Sequence, residues 1–167
     1  SGASFVVFGK STGTAVALSD VEAGTGGFVI NGVSASDRSG FSVSSAGDVN
    51  GDGFDDLIIG AHYDDPNGTN SGASFVVFGK STGTAVELSA IEQDNNAGGF
   101  VINGVSANDF SGRSVSSAGD VNGDGFDDLI IGAFGDDPNG SYSGASFVVF
   151  GKSTGTAVAL SDVEAGT

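Results

Sequence analysis

The sequence contains no cysteine, methionine or tryptophan and only two prolines in 167 residues. Without cysteine, the chain has neither a disulfide framework nor a thiol nucleophile. Basic residues are scarce as well: five Lys and Arg stand against 21 Asp and Glu, which gives a formal net charge of −16. Electrostatic repulsion therefore disfavours nucleic acid as a partner, and cations are the expected partners.

Long apolar segments are also missing. No run approaches the roughly 18 apolar residues of a membrane-spanning helix, so we expect no membrane span. No basic and apolar leader opens the chain, which indicates a mature piece or a fragment of a longer protein. The abundant residues are 30 Gly and 13 Phe, within a hydrophobic content of 38%. This composition is enough for one folded domain with a core and argues against disorder.

Internal repetition decides the architecture. The segment SGASFVVFGKSTGTAV begins at Ser1, Ser71 and Ser143, and residues 143–167 repeat residues 1–25 without a change. The chain is thus a tandem array over residues 1–167, with sequence copies that start at 1 and 71 and a partial copy at 143.

The residue pattern of each full copy predicts four short strands. In the first copy they are residues 2–8, 27–33, 39–46 and 56–61, rich in aromatic and β-branched residues, and a turn follows at 64–68. No helical periodicity is visible, so we predict an all-β fold. The runs FVVF and LII are too continuous for strands with one solvated face. They favour a sheet covered on both faces, as a β-propeller blade is by its neighbours.

The segment DVNGDGFDD occupies residues 48–56 and recurs unchanged at 120–128. Oxygen-bearing side chains at positions 1, 3, 5 and 9, with glycine at position 6, are typical of a calcium loop. The predicted ligands are the side chains of Asp48, Asn50, Asp52 and Asp56 with the Phe54 carbonyl, and those of Asp120, Asn122, Asp124 and Asp128 with the Phe126 carbonyl. Asn-Gly and Asp-Gly turns with solvated acids are the alternative. An EF-hand is excluded because Ile59 and Ile131 stand where it needs a glutamate.

These motifs resemble a known family. GFSVS at 40–44, DVNGDGFDDLIIGA at 48–61 and a Phe-Gly pair at 78–79 and 150–151 are similar to the FG-GAP repeats of integrin α-subunit β-propellers and their bacterial relatives. The resemblance implies blades of four antiparallel strands, with the calcium loop joining the first and second strands on one rim. The family's Gly-Ala-Pro reads here as Gly60-Ala61-His62 and Gly132-Ala133-Phe134, which leaves the local turn open.

Nine predicted strands make about two and a quarter blades, whereas closed propellers typically have roughly four to eight. The chain cannot close a ring alone, and unpaired strand edges recruit partners. We therefore expect a homo-oligomer or polymer: a ring of three or four chains, or a head-to-tail filament. A piece of a longer array is the remaining alternative.

Arg38 and Phe41 of the first copy become Phe110 and Arg113 in the second, so each copy keeps one cation and one ring three residues apart. This exchange predicts a cation over an aromatic ring between neighbouring blades. A surface that faces a ligand is the other interpretation.

Catalysis has little support. The only histidine, His62, is not repeated, and it is more typical of a surface or packing residue than of a catalyst. Asp64-Asp65 and Asp136-Asp137 indicate either solvated turn acids or a weak second cation site. Asn67 and Asn139 fit the N-glycosylation pattern, although an Asn-Gly turn explains them equally well.

The predicted function is a non-enzymatic, calcium-binding β-propeller module that acts as an extracellular adhesion or assembly scaffold. Calcium is the expected cofactor, and an extracellular protein or glycan is a possible ligand. The alternatives are a structural subunit of an extracellular fibre and a glycan- or protein-binding propeller fragment.

Overall fold

The computed structural model describes residues 2–94 and 98–166. The strands in these ranges are β1 (Ala3–Val7), β2 (Gly27–Asn31), β3 (Ser42–Gly47), β4 (Asp56–Ala61), β5 (Ala73–Val77), β6 (Val86–Glu87), β7 (Gly99–Asn103), β8 (Ser114–Gly119), β9 (Asp128–Ala133), β10 (Ala145–Val149) and β11 (Val158–Ala159). The helices are α1 (Leu18–Glu22), α2 (Leu88–Gln93) and α3 (Leu160–Ala165).

One blade is complete. Strands β3, β4, β5 and β7 form an antiparallel meander in which Ile59 lies opposite Phe75, and Phe75 lies opposite Val101. The predicted calcium loop at 48–56 connects β3 to β4, the first two strands of this blade. The expectation of four antiparallel strands per blade is confirmed.

Two partial blades flank the complete one. The first blade contains β1 and β2, which match the third and fourth strands of the complete second blade. The third blade contains β8, β9 and β10, which match the first three strands. The blades are therefore offset from the sequence copies: the segment that opens each copy, at residues 1, 71 and 143, leads into the third strand of a blade.

The core lies between the blades, on both faces of the second one. Ile58 is fully buried in a cluster with Leu129 and Ile131 of the third blade. Its neighbour Ile59 is 1% exposed and packs in a separate cluster with Phe28 of the first blade. Because consecutive side chains point to opposite faces of a strand, the continuous apolar run fills two cores at once. The prediction of a sheet covered on both faces is confirmed.

The fold is nearly all β, as predicted, but the described residues also form three short helices that the sequence does not predict. Helices α1, α2 and α3 have five or six residues, too few for a 3.6-residue period to be visible in the sequence. Their buried residues, Val21, Leu88, Ile91 and Leu160, anchor them to the cores.

The connection that contains α2 also ties two blades together. It leaves β5 of the second blade, adds β6 as a short parallel edge beside β2 of the first blade, and returns to the second blade at β7. Strand β11 makes the same parallel pairing with β7. No helix in the described ranges is long and apolar enough to cross a membrane.

Candidate metal centre

The two candidate calcium loops occupy equivalent places in successive blades. Loop 1 (residues 48–56) joins β3 to β4, and loop 2 (residues 120–128) joins β8 to β9. A shift in strand register precedes each loop, between Ser45 and Gly47 and between Ser117 and Gly119. Inside loop 1, Gly51 and Gly53 have φ angles of +77° and +88°, a left-handed conformation that disfavours other residues. The glycine predicted at position 6 is therefore required by the backbone.

Loop 1 curls around the carboxylate of Asp48, its first residue. Oδ1 accepts hydrogen bonds from the N–H groups of Gly51 (2.8 Å) and Asp52 (3.1 Å), and Oδ2 accepts one from Gly53 (2.9 Å). In loop 2 the carboxylate of Asp120 accepts the same three bonds at 2.7, 3.1 and 3.0 Å. One carboxylate thus organises the backbone of each loop.

Asp56, the ninth residue of loop 1, is completely buried. Its carboxylate accepts hydrogen bonds from the N–H groups of Val49 (3.0 Å) and Gly79 (2.8 Å). The pKa of Asp56 is raised to about 6, chiefly by burial and to a smaller extent by the negative charges of Asp52 and Asp48, while the two N–H donors act in the opposite direction. Asp128 is equally buried and accepts the matching bonds from Val121 and Gly151, both 2.9 Å long.

The remaining predicted ligands lie on the exposed side of the loops. The Asn50 side-chain amide donates to Asp52 Oδ2 (3.1 Å), and Asp52 Oδ1 accepts from the N–H of Phe54 (2.9 Å). Asn122, Asp124 and Phe126 repeat this pattern in loop 2. The predicted side-chain ligands of each loop are therefore three carboxylates and one amide oxygen.

These side chains do not form a preassembled metal cage. Within residues 2–94 and 98–166, no group of three or more His, Cys, Asp or Glu side chains is arranged to hold a metal ion. The oxygens bond mainly to backbone N–H groups of their own loop. The donor chemistry nevertheless fits a hard cation such as Ca²⁺, because all the donors are oxygens and the acids of loop 1 repel one another at Asp56.

A contact that the sequence does not predict joins the two loops. Asp127, the eighth residue of loop 2, accepts a hydrogen bond from the N–H of Asp48 through Oδ2 (2.9 Å). Its own N–H donates to the carbonyl of Asp48 (3.2 Å). No sequence signal could reveal this pairing, because Asp55 occupies the same position in loop 1.

The opposite rim carries an arginine–aromatic cluster, which consists of Arg38, Phe41, His62, Tyr63, Phe110, Arg113 and Phe134. The guanidinium of Arg113 lies 4.3 Å from the ring centroid of Phe41 on the preceding blade. The prediction of a cation over a ring between neighbouring blades is confirmed. Arg38 lies 4.5 Å from the ring centroid of Tyr63, and the Phe110 and Phe134 rings stack at 5.1 Å.

His62 is the buried centre of this cluster, 1% exposed, and is a packing residue as expected. Burial lowers the pKa of His62 to about 4, and the charges of Arg113 and Arg38 add to that effect. Its Nε2 lies 3.5 Å from an Arg113 nitrogen, and its Nδ1 is buried without a hydrogen-bond partner in the described residues.

Of the two interpretations of the Asp64-Asp65 pair, that of solvated turn acids is wrong for Asp64. Its side chain is 9% exposed, and its Oδ2 is buried without a partner among the described residues. Burial raises the pKa of Asp64 to about 6, an effect opposed by the N–H of Asp65 and reinforced by nearby acids such as Asp37. The loop after β4 folds back onto Asp64, since the N–H of Gly72 donates a hydrogen bond to the backbone carbonyl of Asp64 (2.8 Å).

Comparison with known proteins agrees with the fold. The family model described as FG-GAP repeat matches residues 39–77 and 111–149. Integrin alpha-5 of Xenopus laevis is 31% identical over 120 residues, which cover 72% of this chain and 11% of that protein. Integrin alpha-PS2 of Drosophila melanogaster is 30% identical over 107 residues, 64% of this chain and 7% of the relative. Integrin alpha-PS5 of the same organism is 36% identical over 103 residues, 62% of this chain and 9% of the relative.

The chain thus spans about a tenth of the length of these integrin α subunits. Both family matches begin just before the first strand of a blade, contain a candidate calcium loop and end in the blade's third strand. The chain therefore belongs to the FG-GAP repeat family and is an integrin-like β-propeller module.

Proposed function

We propose that this chain is a non-enzymatic, calcium-binding propeller module that serves as an extracellular adhesion or assembly scaffold. The observation that carries the proposal is the pair of all-oxygen loops. Each one is organised around its first aspartate and has a fully buried aspartate at its ninth position. The ligands would be the ten residues predicted from the sequence.

Calcium would act on the connection between the first two strands of each blade. Burial and, to a smaller extent, repulsion from Asp52 and Asp48 raise the pKa of Asp56, and a bound cation would offset both effects. Because the unfolded chain cannot gather the same oxygens, the free energy of binding adds to the free energy of folding. The expected role is that of a structural staple, and the oxygens must exchange some backbone hydrogen bonds for metal contacts.

Isothermal titration with calcium chloride tests this proposal. We expect two ions per chain, with one lost in Asp48→Ala and one in Asp120→Ala. Thr69→Ala, an exposed change on the opposite rim, is the control and should keep both ions. The absence of any binding heat from the folded wild-type chain would contradict the proposal.

Relatedness to integrin α subunits supports an adhesive, extracellular role. The absence of a cysteine nucleophile and the burial of the only histidine support a role without catalysis. An extracellular location further agrees with ligand sets of three carboxylates and no glutamate at position 12, which suit the millimolar calcium found there.

Self-association into a ring or filament is part of the proposal. In the second blade, strand β5 (ASFVV) pairs with β7 (GFVIN) along its full length. Strand β10 has the same sequence as β5, and no strand of the described chain pairs with its outer edge. Strand β2 has the same sequence as β7 and is paired with β1, which is a further copy of ASFVV. Strand β2 of a second chain would therefore fit the edge of β10 in the same register by exchanging β1 for β10.

Exposed apolar surface supports the same assembly. Ile58 and Val76 are fully buried in the second blade, whereas their counterparts Ile130 and Val148 are 39% and 37% exposed in the third. At the other end, a cavity of about 450 Å³ lies between the first and second blades, beside β1 and the half-exposed Val43. Strands from another chain would cover both regions.

Ligand binding is the second candidate function, and the arginine–aromatic cluster favours it. Phe41 and Phe134 are 51% and 49% exposed beside the exposed Arg38 and Arg113. Arg38 and Phe110 also have positive φ angles, a strained state for bulky residues that is concentrated at functional sites. A protein and glycan binding screen tests this role. Binding that disappears in Arg38→Ala but persists in Thr12→Ala would support it.

A further inference from the structure

Loop 1 is held in place by residues that lie outside it. The Asp127 carboxylate of loop 2 accepts the Asp48 N–H at 2.9 Å, and the Asp48 carbonyl accepts the Asp127 N–H at 3.2 Å. Asp48 is the residue whose side chain organises the whole of loop 1. Both the N–H and the carbonyl of Asp48 are thus hydrogen-bonded to the neighbouring blade.

Further contacts extend this clamp. The carbonyl of Val49 accepts a hydrogen bond from the N–H of Lys152 at 2.7 Å. The Phe126 ring lies so close to Gly51 that an added Cβ would be 2.7 Å from a ring carbon. A Cβ on Gly47 would come within 2.0 Å of the Asp127 carboxylate. The third blade therefore follows the shape of loop 1 closely.

Loop 2 has no such support in the described residues. A Cβ added to Gly119 or Gly123, the counterparts of Gly47 and Gly51, would meet nothing within 4 Å. Asp55 occupies the position of Asp127 but is exposed, and no hydrogen bond joins its side chain to another loop in the described part of the chain. The two loops have the same sequence but different surroundings.

We propose that Asp127 is a positioning residue for the calcium site of loop 1 and that it couples the two sites. This inference rests on the proposed calcium binding. An ion in loop 2 would restrict the backbone around Asp127, and Asp127 would then hold Asp48 ready to bind. When the second ion binds, part of the loop backbone is already ordered by the first. Binding of the second ion therefore loses less conformational entropy, which gives positive cooperativity. The coupling is reciprocal, so an ion in loop 1 strengthens binding in loop 2 by the same factor.

A matched pair of variants tests the proposal by calcium titration. Asp127→Ala and Asp55→Ala delete the same side chain from the same loop position, but only Asp127 reaches the other loop. Asp127→Ala should weaken calcium binding at loop 1 on the order of tenfold, whereas Asp55→Ala should leave both affinities unchanged. Asp127→Asn keeps an oxygen that can accept the Asp48 N–H, and it should recover most of the loss.

A double-mutant cycle isolates the coupling. Asp124→Ala removes a predicted ligand of loop 2, and loop 1 should then bind calcium more weakly than in the wild type. In the Asp124→Ala background, Asp127→Ala should lower the calcium affinity of loop 1 by a smaller factor than it does in the wild-type chain. Additive effects of the two substitutions would overturn the coupling.

Hydrogen exchange in calcium-free buffer tests the clamp without metal. The Asp48 amide should exchange faster in Asp127→Ala and at the wild-type rate in Asp55→Ala. If Asp127→Ala does not fold, Lys152→Pro deletes the N–H donor to Val49, with Lys80→Pro as its counterpart in the second blade. Equal calcium affinities and equal Asp48 exchange in the paired variants would overturn the inference. A wild-type chain that binds no calcium contradicts the proposed function instead, whatever the exchange rates are.

Discussion

His62 is the clearest single-residue difference between the two repeats, since Phe134 takes its place in the third blade. Burial lowers the pKa of His62 to about 4, so the unfolded chain binds a proton at a pH where the folded chain does not. The contribution of His62 to stability is therefore present above its unfolded pKa of about 6.5 and decreases as the pH falls from there to about 4.

We predict that His62→Phe removes this loss. We compare the free energy of unfolding of the variant with that of the wild type at each pH. This difference should favour the variant by on the order of 1–2 kcal/mol more at pH 4.5 than at pH 8. Urea unfolding at the two pH values measures the change, with Thr69→Ala as the control. Identical pH dependence in His62→Phe and wild type would show that the buried imidazole is not responsible.

The contribution of Asp64 to stability depends on pH in the opposite direction from that of His62. Burial raises the pKa of Asp64 to about 6, so the folded chain keeps a proton that the unfolded chain releases near pH 4. Stability from Asp64 therefore falls as the pH rises from about 4 to 6 and stays low above that. Asp64→Asn should stabilise the chain at pH 7 by on the order of 1 kcal/mol and have little effect at pH 4. A variant that is less stable than wild type at pH 7 would indicate that the carboxylate is paired.

Among the short helices that the sequence does not predict, α2 connects two blades. Ile91 is fully buried in the core between the first and second blades, and its Cδ1 lies beside Gly99 at the start of β7. The short helix thus contributes to the blade interface from outside the sheets.

We expect Ile91→Ala to lower the free energy of unfolding by about 2–4 kcal/mol, because it leaves a cavity between two blades. Gln93→Ala lies on the exposed end of the same helix and should change stability by less than about 0.5 kcal/mol. Chemical denaturation compares the two directly. Equal effects would mean that α2 adds nothing to the core.

Much at this scale was predictable from the sequence. The sequence predicts the strand at 56–61 with its observed bounds, because burial on both faces produces a continuous LII run between Asp56 and Gly60. The tight turns of loop 1 follow from Gly51 and Gly53, whose positive φ angles few other residues tolerate. Helices were missed because one turn of apolar residues has no visible period. The burial of Asp64 and the Asp127–Asp48 contact depend on which loops the fold brings together, and local sequence does not encode that.

On the scale of the whole molecule, the arrangement is one complete blade between two partial ones, and the partial blades share strands of identical sequence. Because β10 repeats both β1 and β5, and β2 repeats β7, β2 of a second chain would complete the third blade by exchanging its partner β1 for β10. Identical pairing inside the second blade fixes the expected register.

We predict that the chain forms dimers or larger assemblies and that Val148→Pro prevents them. Val148 of β10 matches Val76 of β5, which lies opposite Phe100 of β7. Proline at this position would therefore place its ring at the outer edge of β10 and remove the backbone N–H of residue 148 there. Sedimentation equilibrium measures the masses, and Ser153→Pro, in the exposed segment after this strand, is the control. A wild-type chain that stays monomeric at all concentrations would contradict the expected assembly.

The central claim is that calcium at two rim loops stabilises this propeller module. Thermal unfolding measured in millimolar calcium and again with excess chelator tests it most directly. We predict that removing calcium lowers the midpoint on the order of 10 °C, and that the shift is smaller when both Asp48 and Asp120 are replaced by alanine. Superimposable wild-type unfolding curves under the two conditions would contradict the account.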